Sequence, residues 1–160
     1  MKILMVCLGN ICRSPLAEGL LQAKANAAGL NWQVDSAGTN GFHNGEAPHP
    51  LSQKIAAANG IDISRQVSRQ LTPADFVTYD RLYAMANDVW GDMKRMGGNA
   101  FDPSKNILFL NELHPGENLD VPDPWYGKED GYVEVFQLID RTCEALIQNY
   151  LATHQQTTTL

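Results

Sequence analysis

No apolar run in this chain approaches the ~20 residues that a bilayer-spanning helix needs, so none is expected. Cysteine is scarce as well. The three present (Cys7, Cys12, Cys143) are an odd number in a chain of 160 residues, unlike a secreted disulfide framework. No Cys-x-x-Cys occurs, and the four histidines (His43, His49, His114, His154) are scattered without zinc spacing. They read as surface or loop residues, and no metal is expected. Basic residues are outnumbered, 12 Lys and Arg against 18 Asp and Glu, giving a net charge of -6. That balance argues against nucleic acid or an anionic membrane surface as partner, while leaving room for a local basic pocket. The opening Met1-Lys2-Ile3-Leu4-Met5-Val6 is too brief for a signal peptide and runs into Cys7 and Gly9 without a small-residue cleavage site. A reducing cytoplasmic location is therefore expected.

What remains is an ordinary globular composition, 44% hydrophobic and 19% charged, long enough to bury one core. Residues 2–7 are apolar after Lys2, as in a strand covered on both faces of a parallel sheet. Ser14-Pro15 opens a helix with Glu18 completing an acidic first turn. Leu16, Leu20 and Leu21 continue it toward Ala28, and Gly29 ends it. Trp32 to Gly38 alternates as a second strand, followed by a Gly/Asn/His-rich loop. A helix is expected over Pro50 to Ala58, a strand over Arg81 to Ala86, a helix near Val89 to Met96 and a short strand over Asn106 to Leu110. The last helical pattern runs from Glu129 to Tyr150. Strands alternating with helices predict an α/β fold with a parallel sheet, one domain over 1–152 and a frayed polar tail over 153–160. Right-handed crossovers place Cys7 on the edge where the strands end.

The strand-loop-helix segment Cys7-Leu8-Gly9-Asn10-Ile11-Cys12-Arg13-Ser14 carries the chemistry. Backbone N–H groups in such a loop converge as an anion-binding nest, and the helix N-terminus adds unpaired N–H groups and partial positive charge. Gly9 permits positive φ and Asn10 tolerates it. Arg13 offers a planar charged fork to phosphate oxygens. A cysteine in that setting is arranged to react as the nucleophilic thiolate. Ser14 either donates to that sulfur or caps the helix. A nucleotide P-loop would need Gly-Lys-Ser/Thr, which is absent. A general acid is best sought in Pro122-Asp123-Pro124-Trp125, although Asp-Pro is equally common turn chemistry, and Asp62 and Asp102 are acidic rivals.

Val6 to Glu18 resembles the signature of the low-molecular-weight protein tyrosine phosphatase family. Asp35-Ser36-Ala37-Gly38-Thr39, Ser68-Arg69-Gln70-Leu71 and Asp123-Pro124-Trp125-Tyr126-Gly127 resemble further family segments in the same order. The resemblance implies a three-layer fold with a four-stranded parallel sheet of order 2-1-3-4. It also implies no cofactor, and phosphotyrosine hydrolysis through a phosphocysteine on Cys7, with Asp123 as general acid and then base. Arg13 and the amides of Leu8, Gly9, Asn10, Ile11, Cys12 and Ser14 would hold the phosphate. Phe42, Trp125 and Tyr126 would wall the substrate slot. A reversible Cys7–Cys12 disulfide is implied too.

Ile11 stands where relatives resembling arginine phosphatases carry threonine, which favours phosphotyrosine. Gln66 is a departure, near where many members place a histidine supporting Asn10; a glutamine amide can offer a similar hydrogen bond without the charge. The implied partners are phosphotyrosine-containing proteins, a tyrosine kinase among them, and a monomer is the default. Rival readings are an arsenate reductase-like thiol enzyme, disfavoured by the absence of two further downstream cysteines, and a non-catalytic phosphate-binding module.

Overall fold

The computed structural model describes residues 1–125 and 127–158. Four parallel strands form one sheet: β1 (Lys2–Cys7), β2 (Gln33–Gly38), β3 (Arg81–Ala84) and β4 (Asn106–Leu108), in the order β2-β1-β3-β4. The helices are α1 (Arg13–Ala27), α2 (Pro50–Ala58), α3 (Asp75–Thr78), α4 (Asn87–Gly97) and α5 (Glu129–Thr158).

β1 is central and fully covered. Ile3, Met5 and Cys7 belong to the core beneath α1 and α5, with Leu21, Tyr83, Phe109 and Ile139. Leu4 and Val6 join the opposite core with Phe76, Leu82, Val89 and Met93. Successive side chains of a strand point to opposite faces, so a strand buried on both must be apolar throughout. The chain leaves β1 for β2 on one side and returns to β3 on the other. Cys7 therefore ends at the crevice where strand order reverses, the usual ligand position in open α/β sheets.

Several boundaries differ from the sequence expectation, each for a physical reason. Phe109 and Leu110 are buried but leave the sheet for a 3-10 turn spanning Phe109–Glu112, where they pack under α5. The four-residue α3 is too short for periodicity to reveal, and it stands on Asp75, whose carboxylate accepts from the Thr72 N–H. α1 starts at Arg13, so Glu18 falls beyond its first turn. α5 continues past Tyr150, whose ring stacks on His154 one turn later.

Candidate active site

β1 ends at Cys7 and the chain turns over the C-terminal end of β2. The turn lies so close to β2 that a Cβ on Gly38 would sit 2.8 Å from the Leu8 carbonyl oxygen. Only glycine fits there. Asn10 takes φ 58°, the left-handed conformation anticipated for it. Its backbone N–H points back at Cys7 Sγ, 3.3 Å away.

The Asn10 side chain organises the loop. Its Oδ1 accepts from the Arg69 N–H (3.1 Å), which turns Nδ2 toward Ser14 Oγ (2.8 Å) and Ser36 Oγ (2.9 Å). Because Ser14 Oγ accepts from Asn10, its own hydrogen is free for Cys7 Sγ at 3.0 Å. α1 has no side-chain cap, so Ser14 serves the sulfur rather than the helix. Arg69 is delivered by a segment bridged to β2 at Gly38, and its guanidinium is gripped by both Asp75 oxygens. Ser68 Oγ donates to the Gly9 carbonyl.

Gln66 does not take up the hydrogen bond to Asn10 that its amide could offer. Its Nε2 donates to the Pro15 carbonyl, and its Oε1 is buried without a partner. The residue behind Asn10 is instead Ser36, whose hydroxyl donates to Glu18 Oε1 at 2.8 Å. Burial pushes the Glu18 carboxyl from an ordinary 4.5 up to about 7, against the Ser36 hydrogen bond that lowers it. The folded chain thus binds a proton between these values that the unfolded chain does not. Stability must fall as pH rises through that window. Glu18→Gln keeps an acceptor for Ser36 and removes the charge. It is expected to stabilise the protein by about 3 kcal/mol at most at pH 8 and by almost nothing at pH 4. Urea midpoints at the two pH values check this, and equal shifts would refute it.

Arg13 is buried, with Nη1 donating to the Val121 carbonyl at 3.1 Å. Val121 is itself held by its N–H on the Met85 carbonyl, just past β3, and Met85 in turn donates to Val6 in β1. Two residues beyond this anchor stands Asp123. Its Oδ2 lies 3.7 Å from Arg13 Nη2, and its side chain is 38% exposed against 5% for Arg13. Asp123 Oδ1 accepts from the Trp125 N–H.

Cys7, Leu8, Gly9, Ile11, Cys12, Arg13, Asn40, Phe42, His43, Asp123 and Trp125 line one cavity of about 270 Å³. The predicted nucleophile, arginine and acid, 116 residues apart at the extremes of that list, therefore share one space. Asn10 and Ser14 support it from behind. Phe42, expected as a wall, is 87% exposed and stands at the rim. Tyr126, the other expected wall, lies outside the described residues.

Cys12 is buried beside the Tyr132 hydroxyl (3.6 Å), and burial pushes its thiol up to about 12. Cys143 is fully buried in α5, where burial likewise pushes its thiol up. All three cysteines are free. Among the described residues no group of three His, Cys, Asp or Glu side chains is placed to hold a metal ion, and no helix is long and apolar enough to cross a membrane.

Two residues escaped the sequence reading. His43 and His49 are loop residues as expected, yet both pack on Trp125, with ring centroids 5.3 and 5.5 Å away. His49 also accepts from the Leu51 N–H to cap α2, and burial holds its imidazole below the usual histidine range.

Residues 2–157 match the family model described as low molecular weight phosphotyrosine protein phosphatase. The low molecular weight protein-tyrosine-phosphatase YfkJ of Bacillus subtilis is 37% identical over 149 residues, 91% of this chain and 93% of the relative. A crystal structure of a protein tyrosine phosphatase from Entamoeba histolytica, with Hepes in its active site, superposes with a TM-score of 0.87 at 31% identity, covering 96% of this chain and 99% of that one. A drosophila arginine phosphatase superposes with a TM-score of 0.85 at 29% identity, covering 94% and 98%.

Proposed function

This chain belongs to the low molecular weight phosphotyrosine protein phosphatase family, and from that premise we propose that it hydrolyses phosphotyrosine in proteins by two displacements at Cys7. The observation that carries the reading is the single cavity lined by Cys7, Arg13 and Asp123, with Ser14 against the sulfur. The Cys7 thiolate attacks phosphorus, and the phosphocysteine forms as the aryl oxygen leaves with the proton of Asp123. Asp123 then takes a proton from the water that attacks the phosphocysteine, returning phosphate and free thiolate. Arg13 and the amides of residues 8–14 hold the remaining phosphate oxygens in both steps, an arrangement built before charge develops.

Tyrosine is favoured by the apolar Ile11, Leu8 and Phe42 around the mouth, which suit a flat ring. A phosphoarginine side chain would bring a charged guanidinium against Ile11, a poor exchange for its hydration. The drosophila enzyme's likeness makes that comparison the decisive one. Phosphotyrosyl peptides are expected to turn over at least about tenfold faster, in kcat/KM, than phosphoarginyl peptides, a difference of about 1.4 kcal/mol. Faster release of phosphate from phosphoarginine would overturn the assignment.

Phosphoproteins are thus the substrates, tyrosine kinases among them, and we place the enzyme in the cytoplasm as a monomer. Cys12, five residues after Cys7 in the same loop, is assigned as the partner that captures a Cys7 sulfenic acid formed by peroxide, closing a disulfide with loss of water.

A further inference from the structure

Four rings form a column beside the phosphate loop. Tyr132 of α5 stacks on His49 (5.1 Å between centroids, 24° between planes), His49 meets Trp125 edge to face (5.5 Å, 79°), and Trp125 meets His43 (5.3 Å, 53°). The middle of this column is rigidly held. The His49 N–H donates to the Ile11 carbonyl at 2.8 Å, tying the residue to the phosphate loop. Its Nδ1 accepts from the Leu51 N–H at 3.1 Å, which fixes the ring's rotation and places its proton on Nε2. Tyr132, almost fully buried, backs the ring on its other side. His43 rests on the same loop, with Cδ2 where a Gly9 side chain would lie, and is held there by Glu46.

Trp125 is only half covered, and its N–H is bonded to Asp123 Oδ1. The carboxylate's approach to Arg13 is a loose 3.7 Å. Ring contact through Trp125 is consequently a main link between the Asp123 segment and the phosphate loop.

We propose that His49 is a positioning residue for Asp123: its imidazole, fixed by the α2 cap and by Ile11, seats Trp125 and thereby sets where the Asp123 carboxyl meets the leaving oxygen. His49 does not line the substrate cavity, so it acts through Trp125 and not on the substrate. The proposal rests on Asp123 being the general acid.

The test separates ring from cap. Asparagine is among the best helix N-caps, so His49→Asn keeps the cap and deletes the ring, whereas His49→Phe keeps a ring and deletes the acceptor. Both are assayed, alongside Asp123→Asn, for kcat/KM on phenyl phosphate and on p-nitrophenyl phosphate, whose more acidic phenol needs less protonation to depart. His49→Asn is expected to lose about tenfold on phenyl phosphate and no more than about twofold on the nitrophenyl ester. His49→Phe should recover most of the phenyl phosphate rate. In the Asp123→Asn background, His49→Asn should cost nothing further, because residues acting as a unit are not additive. Equal losses on both esters, or none, would refute the positioning role. If Asp123→Asn itself fails to discriminate the two esters, the acid assignment falls first. Discrimination by Asp123→Asn with none by His49→Asn sinks the His49 proposal alone.

Discussion

Cys7→Ser is expected to abolish turnover of aryl phosphates, by at least about 10⁴-fold in kcat, while leaving the anion site intact. A serine hydroxyl at this position remains protonated at neutral pH and is a weak nucleophile in that form. The Asn10 N–H and the Ser14 hydroxyl both point at the atom in this position and can hydrogen-bond an oxygen there as they do the sulfur. Arg13 keeps its anchor on Val121 whatever atom stands at position 7, because that bond is made to backbone. An arylphosphonate should therefore still raise the melting temperature of the variant, by mass action on the folded state. Lost turnover with retained binding identifies a nucleophile. Turnover that survives would remove Cys7 from the chemistry, and loss of both properties would point to a collapsed loop.

Asp123→Asn is expected to reduce kcat by about 10²–10³-fold, with a distinctive time course. Its two roles fail unequally. A nitrophenolate leaves without much help, so the first displacement persists on that ester, whereas attack of water on the phosphocysteine still needs a base. The variant should release about one equivalent of nitrophenol per enzyme in a burst and then turn over slowly, with phosphoenzyme accumulating. Rapid-quench measurement checks the burst. A slow, burst-free release would assign the base role to another group. The geometry is compatible with the loss being chemical, since Val121, two residues earlier, is secured to Met85 independently of the carboxylate.

How far the sequence announced this site depends on how local each signal was. β1 was legible because burial on both faces forbids polar residues, leaving a run with no alternation to misread. The Pro50–Ala58 helix was legible because Pro50 and the Asn59-Gly60 pair punctuate it. Leu110 was misassigned to a strand because buried strands and buried turns use the same side chains, and only the sheet's register tells them apart. The three proposed catalytic positions carried compact signals, a loop for Cys7 and Arg13 and two prolines for Asp123.

The support around them did not. Ser36 and Glu18 meet behind Asn10 from a strand and a helix whose pairing no spacing rule encodes. Glu18 was read as a helix-end charge because its sequence position allows that, and only the start of α1 at Arg13 moves it inward. Gln66 departs from the histidine that the resemblance places near Asn10, and its amide turns to Pro15. His49 reads as a turn residue until Trp125 and Tyr132, both distant in sequence, are laid on either side of it.

The bond from Arg13 to Val121 closes a loop of 108 residues, and it has a consequence for how the chain acquires activity. β1, which carries the proposed nucleophile, is synthesised before both of its sheet neighbours, and the second of them begins only at Arg81. Parallel pairings of such separation form slowly, because loop closure must be met before the contacts return anything. Until Val121 docks, the guanidinium lacks its backbone anchor and Asp123 does not share a cavity with the sulfur. A nascent or partly unfolded chain therefore carries its cysteine without the means to use it. Phosphatase activity accordingly serves as a readout of completed folding from Cys7 to Asp123, and refolding followed by catalysis should lag refolding followed by helix content.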